Sequence, residues 1–150
     1  MRILVTGGLG HIGSKLIREY SKREDVELIR VFDNLSTQRY CSLFDLPSRE
    51  GLRYEFFEKD ILDINGIKEA MKDIDVIVHL ASVTDAPSTI NNPELTEKVI
   101  YNGTWNVLNA AMQTNVKRFL YPSTTSVYGE AEGVVDEYSP EEVYRPASPY

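Results

Sequence analysis

The sequence predicts an α/β fold, a doubly wound parallel sheet with strands in the spatial order 3-2-1-4-5. Three observations carry this. Five short apolar runs alternate with stretches of helical periodicity. The first run, Arg2 to Thr6, passes through a glycine-dense turn straight into a helical stretch. The second run ends in an acid, Asp33, about twenty residues beyond the last glycine of that turn. Right-handed crossovers then leave one economical order for the strands.

Each element has its own reason. Arg2 to Thr6 reads as a short buried strand. Gly7-Gly-Leu-Gly-His-Ile-Gly13 comes next, and the residues from about His11 to Lys22 read as the first helix, with Ile12, Leu16, Ile17 and Tyr20 on one face. A strand, a tight turn and a helix N-terminus together make an anion site, because unpaired N–H groups and the positive end of the helix dipole converge there. Two spacings fit, Gly8-x-Gly10-x-x-Gly13 and Gly7-x-x-Gly10-x-x-Gly13. A nucleoside triphosphate loop would need Gly-Lys-Ser/Thr; the order here is Gly13-Ser14-Lys15, which places the lysine inside the helix.

The second strand is Val26 to Phe32, closing on Asp33-Asn34-Leu35-Ser36. An acid at that point of a dinucleotide-binding fold accepts hydrogen bonds from the adenosine ribose and repels a 2′-phosphate, which favours NAD over NADP. Thr37 to Gly51 reads as irregular. Leu52 to Glu58 is the third strand, and Asp60-Ile61 lies at its carboxyl end. Asp63 caps a helix whose inner face is Ile64, Ile67, Ala70 and Met71. Asp75 to Ala81 is the fourth strand, and its continuous apolar run suits a strand covered on both faces. His79 within it reads as a packed, hydrogen-bonded core group rather than a catalyst. Asn92-Pro93 opens a long helix to about Asn115, with Ile100, Thr104, Val107, Leu108 and Ala111 inward and Trp105 flanking them. Lys117 to Pro122 is the fifth strand, Ser123 to Gly129 a turn at its end, and Glu130 to Tyr150 a polar loop.

Bulk properties exclude several classes of function. The 150 residues are 42% hydrophobic and 26% charged, with a net charge of −7. A balance this acidic opposes non-specific nucleic-acid binding. Cys41 is the one cysteine, so no intrachain disulfide can form and a reducing, cytoplasmic setting is expected. It reads as a loop thiol. The apolar run Ile3 to Val5 is too short for a signal peptide, and nothing is long enough to span a membrane. No metal site is expected.

With these residues in place, the sequence resembles the extended short-chain dehydrogenase/reductases, the sugar-nucleotide epimerases and dehydratases with a Rossmann-like domain. The resemblance runs the length of the chain. It rests on Thr6 to Gly13, Asp33 to Ser36, Asp60-Ile61, His79-Leu-Ala-Ser82, Gly103-Thr-Trp-Asn-Val-Leu108, Ser123 to Gly129 and Pro146-Ala-Ser-Pro-Tyr150. It implies that Gly7, Gly10, His11, Ile12 and Gly13 wrap the pyrophosphate of NAD. It implies that Asp33 and Asn34 hold the adenosine ribose, that Asp60 and Ile61 meet the adenine, and that Leu80, Ala81 and Ser82 line the cofactor path. The catalytic pair it implies is Thr124 and Tyr150, the tyrosine as base and the threonine orienting the same sugar oxygen. It further implies a nucleotide-sugar substrate and leaves room for a homodimer, while the charge and the short apolar runs already argue against a nucleic-acid or membrane partner.

Two features depart from the family pattern. The chain closes on Tyr150, before the lysine of Tyr-x-x-x-Lys, the last strands of the sheet and the substrate region. The expectation is therefore the N-terminal NAD-binding portion of a longer protein, without turnover by itself. Ile100 also stands where the family often has an asparagine in the long helix. Relatives that dehydrate usually carry Asp-Glu after the catalytic threonine, whereas Thr125 and Ser126 come after Thr124. This favours a UDP-sugar 4-epimerase, with a nucleotide-sugar dehydratase or reductase, or a non-catalytic NAD(P) sensor of the same fold, as the alternatives.

Overall fold

A computed structural model describes residues 1–84, 86–129, 131 and 133–140, with only the backbone for 86–88. Five parallel strands form one sheet in the order β3-β2-β1-β4-β5. They are β1 Arg2–Thr6, β2 Leu28–Asp33, β3 Arg53–Glu58, β4 Val76–His79 and β5 Arg118–Leu120. The helices are α1 His11–Ser21, α2 Ile64–Ala70, α3 Ala86–Asn91, α4 Pro93–Glu97 and α5 Thr104–Met112. The predicted sheet and its order are those observed.

Alternation along the strands splits the core into two layers. Leu4, Leu28, Phe32 and Ile77 face one way, onto Ile67 and Ala70 of α2, Met71 at its C-cap, and Val107 and Ala110 of α5. Ile3, Val5, Ile29, Val31 and Val78 face the other way, onto Leu9 and Ile17. β1 is buried on both faces, as a central parallel strand must be. Arg30 interrupts the first layer with a buried charge. Its Nε donates to Glu55 Oε2 at 2.7 Å and its Nη1 to the carbonyls of Ala70 and Lys72 at 2.6 and 2.8 Å. The guanidinium thus satisfies orphan carbonyls at the C-terminal end of α2 while lying over the Phe57 ring. The N-terminus of α2 is closed by Asp63, whose carboxylate accepts from the N–H groups of Asn65 and Gly66.

The observed elements differ from the expected ones in several places. The helix expected from Asn92 to Asn115 is in three parts. Asn92 caps α4 by accepting from Leu95 N–H; a π-helical turn, Lys98–Gly103, then joins α4 to α5, which ends at Met112. The wider turn rotates the helix face beyond it, so Gly103, Val107, Ala110 and Ala111 are buried and Ile100 and Leu108 only half-buried. In α1 the inward residues are Gly13, Ile17 and Ser21, while Ile12 is 68% exposed on the first turn. β4 is shorter than its apolar run: Leu80 N–H still donates to Thr6 O at 3.0 Å, and beyond it Ala81 N–H reaches only the Thr6 hydroxyl, at 3.4 Å. β5 is a three-residue strand rather than Lys117 to Pro122, with Arg118, Phe119 and Leu120 paired to Val76, Ile77 and Val78 of β4. α3 and the short 3-10 turn Tyr40–Leu43 are additions to the expected elements. No helix among the described residues is long and apolar enough to cross a membrane.

Candidate cofactor site

The site is built at the carboxyl ends of the strands, starting with the loop after β1. Gly7 takes φ +65°, and its N–H donates to Phe32 O at 2.8 Å. A Cβ on Gly7 would lie 2.6 Å from Ala81 N, and one on Gly13 would lie 2.7 Å from Gly7 O. These two glycines therefore bring three backbone segments into contact: the β1 loop, the start of α1 and the segment after β4. Gly10 is the N-cap of α1, and no side chain among the described residues caps the helix there. The first-turn N–H groups are left for an anion, which is the chemistry of a pyrophosphate site. His11 and Ile12 stand exposed on that turn.

Asp33 does more than its position predicts. Its Oδ2 accepts from Leu9 N–H at 3.0 Å and its Oδ1 from Leu35 N–H at 2.9 Å. One carboxylate thus ties the phosphate loop to the turn after β2, where Leu35 sits at φ +57°. Asn34 continues the rim: its Nδ2 donates to Asp60 Oδ2 at 2.8 Å and its Oδ1 accepts from Ser36 N–H. Asp60 Oδ1 accepts from Leu62 N–H at 2.9 Å. Asp33→Ala is accordingly expected to weaken the preference for NAD over NADP by about 1–3 kcal/mol, the scale of a lost charge-assisted hydrogen bond. Titration calorimetry with both cofactors checks this; tighter binding of NADP by the unsubstituted chain would refute the assignment of the acid.

The third wall is held by His79, which is fully buried. Thr6 Oγ1 accepts from the N–H groups of Leu80 and Ala81, so its own proton goes to His79 Nδ1 at 2.6 Å. With Nδ1 as the acceptor, Nε2–H donates to Thr104 Oγ1 at 3.0 Å. Tyr121 stacks on the ring at 5.6 Å and Phe119 lies at 6.0 Å. Burial pushes the imidazole pKa down to about 4, so the ring is neutral at physiological pH. The reading of His79 as a satisfied core group matches this geometry. Its reach to Thr104, 25 residues along the chain, has no signal in the sequence.

Thr124 caps the 3-10 turn Thr125–Tyr128, its Oγ1 accepting from Ser126 N–H at 3.1 Å. The hydroxyl keeps its proton to donate elsewhere. Leu80 and Ala81 are half-buried beside Gly7, and Ser82 is exposed. Tyr150, the other expected catalytic residue, lies outside the described residues.

The model of the NAD-dependent epimerase/dehydratase family matches residues 3–150. The chain belongs to that family. Its fold and its NAD cofactor go with membership, and the glycine cradle, the uncapped α1 and the Asp33 rim fit a dinucleotide. A probable dTDP-glucose 4,6-dehydratase of Sinorhizobium fredii is 38% identical, matching 100% of this chain and 45% of that protein. The dTDP-D-glucose 4,6-dehydratase of Mus musculus is 36% identical, over 99% and 42%. Among solved structures, the UDP-Glc/GlcNAc 4-epimerase of Campylobacter jejuni superposes with a TM-score of 0.85 at 35% identity, over 99% of this chain and 44% of that one. This epimerase/dehydratase chain thus spans a little under half the length of the curated relatives it matches.

Proposed function

We propose that the complete gene product is an NAD-dependent nucleotide-sugar epimerase, acting on C4 of a UDP-sugar. The observation that carries this reading is the turn after β5, where Thr125 and Ser126 come after Thr124 and neither is a carboxylate. Eliminating water from a sugar needs a side-chain acid and base at the carbon–oxygen bond that breaks. Inverting C4 needs neither. Bound NAD would supply the hydride acceptor and donor that this chemistry needs at C4. Thr124 is placed at the carboxyl edge of the sheet with a hydroxyl proton to donate, and it orients the C4 oxygen. Tyr150 takes the proton from that oxygen; a phenol titrates near ~10 in water, so a neighbouring cation must lower it. Gly7, Gly10, His11, Ile12 and Gly13 hold the pyrophosphate, Asp33 and Asn34 the ribose, Asp60 and Ile61 the adenine, and Leu80 to Ser82 the path between. The outward stripe of Tyr101, Trp105 and Met112 on the π turn and α5 is apolar and exposed, which supports the homodimer; sedimentation velocity tests it.

Proton NMR of the complete gene product with UDP-glucose decides the reaction. The expected product is UDP-galactose; a 4-keto-6-deoxy sugar would make the protein a dehydratase. The 150-residue chain alone is expected to interconvert neither sugar, and measurable turnover by a sample of confirmed mass would refute the assigned need for a lysine beyond Tyr150.

A further inference from the structure

The motif Gly103-Thr-Trp-Asn106 has no part in the hydride chemistry, yet it packs directly behind the loop after β3. Asn106 Nδ2 donates to Ile61 O at 3.2 Å, across 45 residues of sequence. The same peptide unit carries Leu62 N–H, which donates to Asp60 Oδ1 at 2.9 Å. This one peptide is therefore held at both ends, by Asn106 at its carbonyl and by the Asp60 carboxylate at its N–H. One turn before Asn106, Gly103 is buried against the Ile61 side chain, and a Cβ there would overlap Ile61 Cδ1. Ile61 itself is 5% exposed. The π turn Lys98–Gly103 ends where this contact begins, and such turns widen a helix locally and re-aim its next turn.

We propose that Asn106, seated by Gly103, is a positioning residue for adenine selection: it locks the Ile61–Leu62 peptide, which locks the rotamer of Asp60. Asp60 Oδ2 already accepts from Asn34, so the carboxylate is fixed from two sides and each oxygen keeps a lone pair to accept a further donor. A carboxylate so fixed accepts from the exocyclic amine of adenine. Hypoxanthine carries a carbonyl oxygen at that place, which the carboxylate repels. The inference rests on the assignment of Asp60 and Ile61 to the adenine.

The test is calorimetric titration of the chain with NAD and with its hypoxanthine analogue, and the quantity read is the ratio of the two affinities. Asn106→Asp is close to isosteric and replaces the donor with an acceptor; Asn106→Ser is a second variant whose shorter side chain cannot span to Ile61 O. The unsubstituted chain should prefer NAD about tenfold or more, and each variant should reduce that preference to about threefold or less, chiefly by weakening NAD. A variant that weakens both ligands in equal proportion reports general loosening and overturns the proposal. If Asp60→Ala loses the preference while both Asn106 variants keep it, the positioning role is wrong and the adenine assignment stands. If Asp60→Ala keeps it, the adenine assignment is wrong and the proposal falls with it.

Discussion

In the complete gene product, Tyr150→Phe is expected to cut the turnover number a hundredfold or more, about 3 kcal/mol of transition-state stabilisation, with NAD affinity largely kept. The grounds are positional. Tyr150 ends Pro146-Ala-Ser-Pro-Tyr150, the entry into the family's catalytic helix by resemblance. Its proposed partner Thr124 follows β5 at the carboxyl edge of the sheet and caps the turn Thr125–Tyr128. A phenylalanine keeps the ring and removes only the oxygen that carries the proton. Tyr128 is the control, because Val127-Tyr128-Gly129 is the more visible motif and lies in the same turn as Thr124. Tyr128→Phe should cost much less. Steady-state kinetics with the UDP-sugar, paired with a cofactor titration, separates the two; a reversed order of losses would mean that the base is the wrong tyrosine.

Most of the fold is legible in the sequence because parallel sheets write themselves in one dimension. The central strands β1 and β4 are continuous apolar runs, each helix has a face, and the crossover rule orders them. The use of polar side chains at long range is not legible. Asp33 shows as an acid at the end of β2, but its grip on Leu9 N–H depends on the loop folding back 24 residues. The same holds for Asn106 and Ile61, and for Arg30, which reads as an anomaly in a buried strand until α2 presents its carbonyls. The π turn is hidden for another reason. Periodicity over Asn92 to Asn115 is nearly that of one helix, and a single added residue shifts the face without breaking the pattern. The glycines of the first loop are legible because close backbone approach demands them, whatever the partner segment turns out to be.

These long-range ties share a logic. Asp33 links the loops after β1 and β2, Asn34 and Asp60 link those after β2 and β3, and His79 with Thr6 links those after β1 and β4. Through Asn106 and Thr104, α5 holds two of the four from behind. Loops tied together in this way lose less ordering entropy on binding a ligand than a set of free loops.

The same ties make acid the weak point of the domain. His79 is neutral in the folded chain with a pKa of about 4, against 6.5 when exposed. Between those values the unfolded chain binds a proton that the folded chain does not, so stability rises with pH across the window. The contribution is complete above pH 6.5 and is lost as the pH falls to about 4, a total loss of about 3 kcal/mol. Geometry reinforces the burial. A proton on Nδ1 would meet Thr6 Oγ1, already accepting from Leu80 and Ala81, and would turn the hydroxyl proton away from its acceptor. Tyr121 and Phe119 beside the ring and Thr104 beyond it bring no carboxylate to balance the charge. Asp75 is separable, because its carboxyl is held below its usual value chiefly by the Arg2 N–H and then by Lys117, and it is lost only below pH 3.8. Urea unfolding at steps from pH 7 to pH 4 should therefore show a steep fall for the unsubstituted chain. His79→Gln, which cannot take up the proton, should start less stable and fall far less across that range. An unsubstituted chain equally stable at pH 6.5 and pH 4.5 would show that the imidazole is not held neutral by its surroundings.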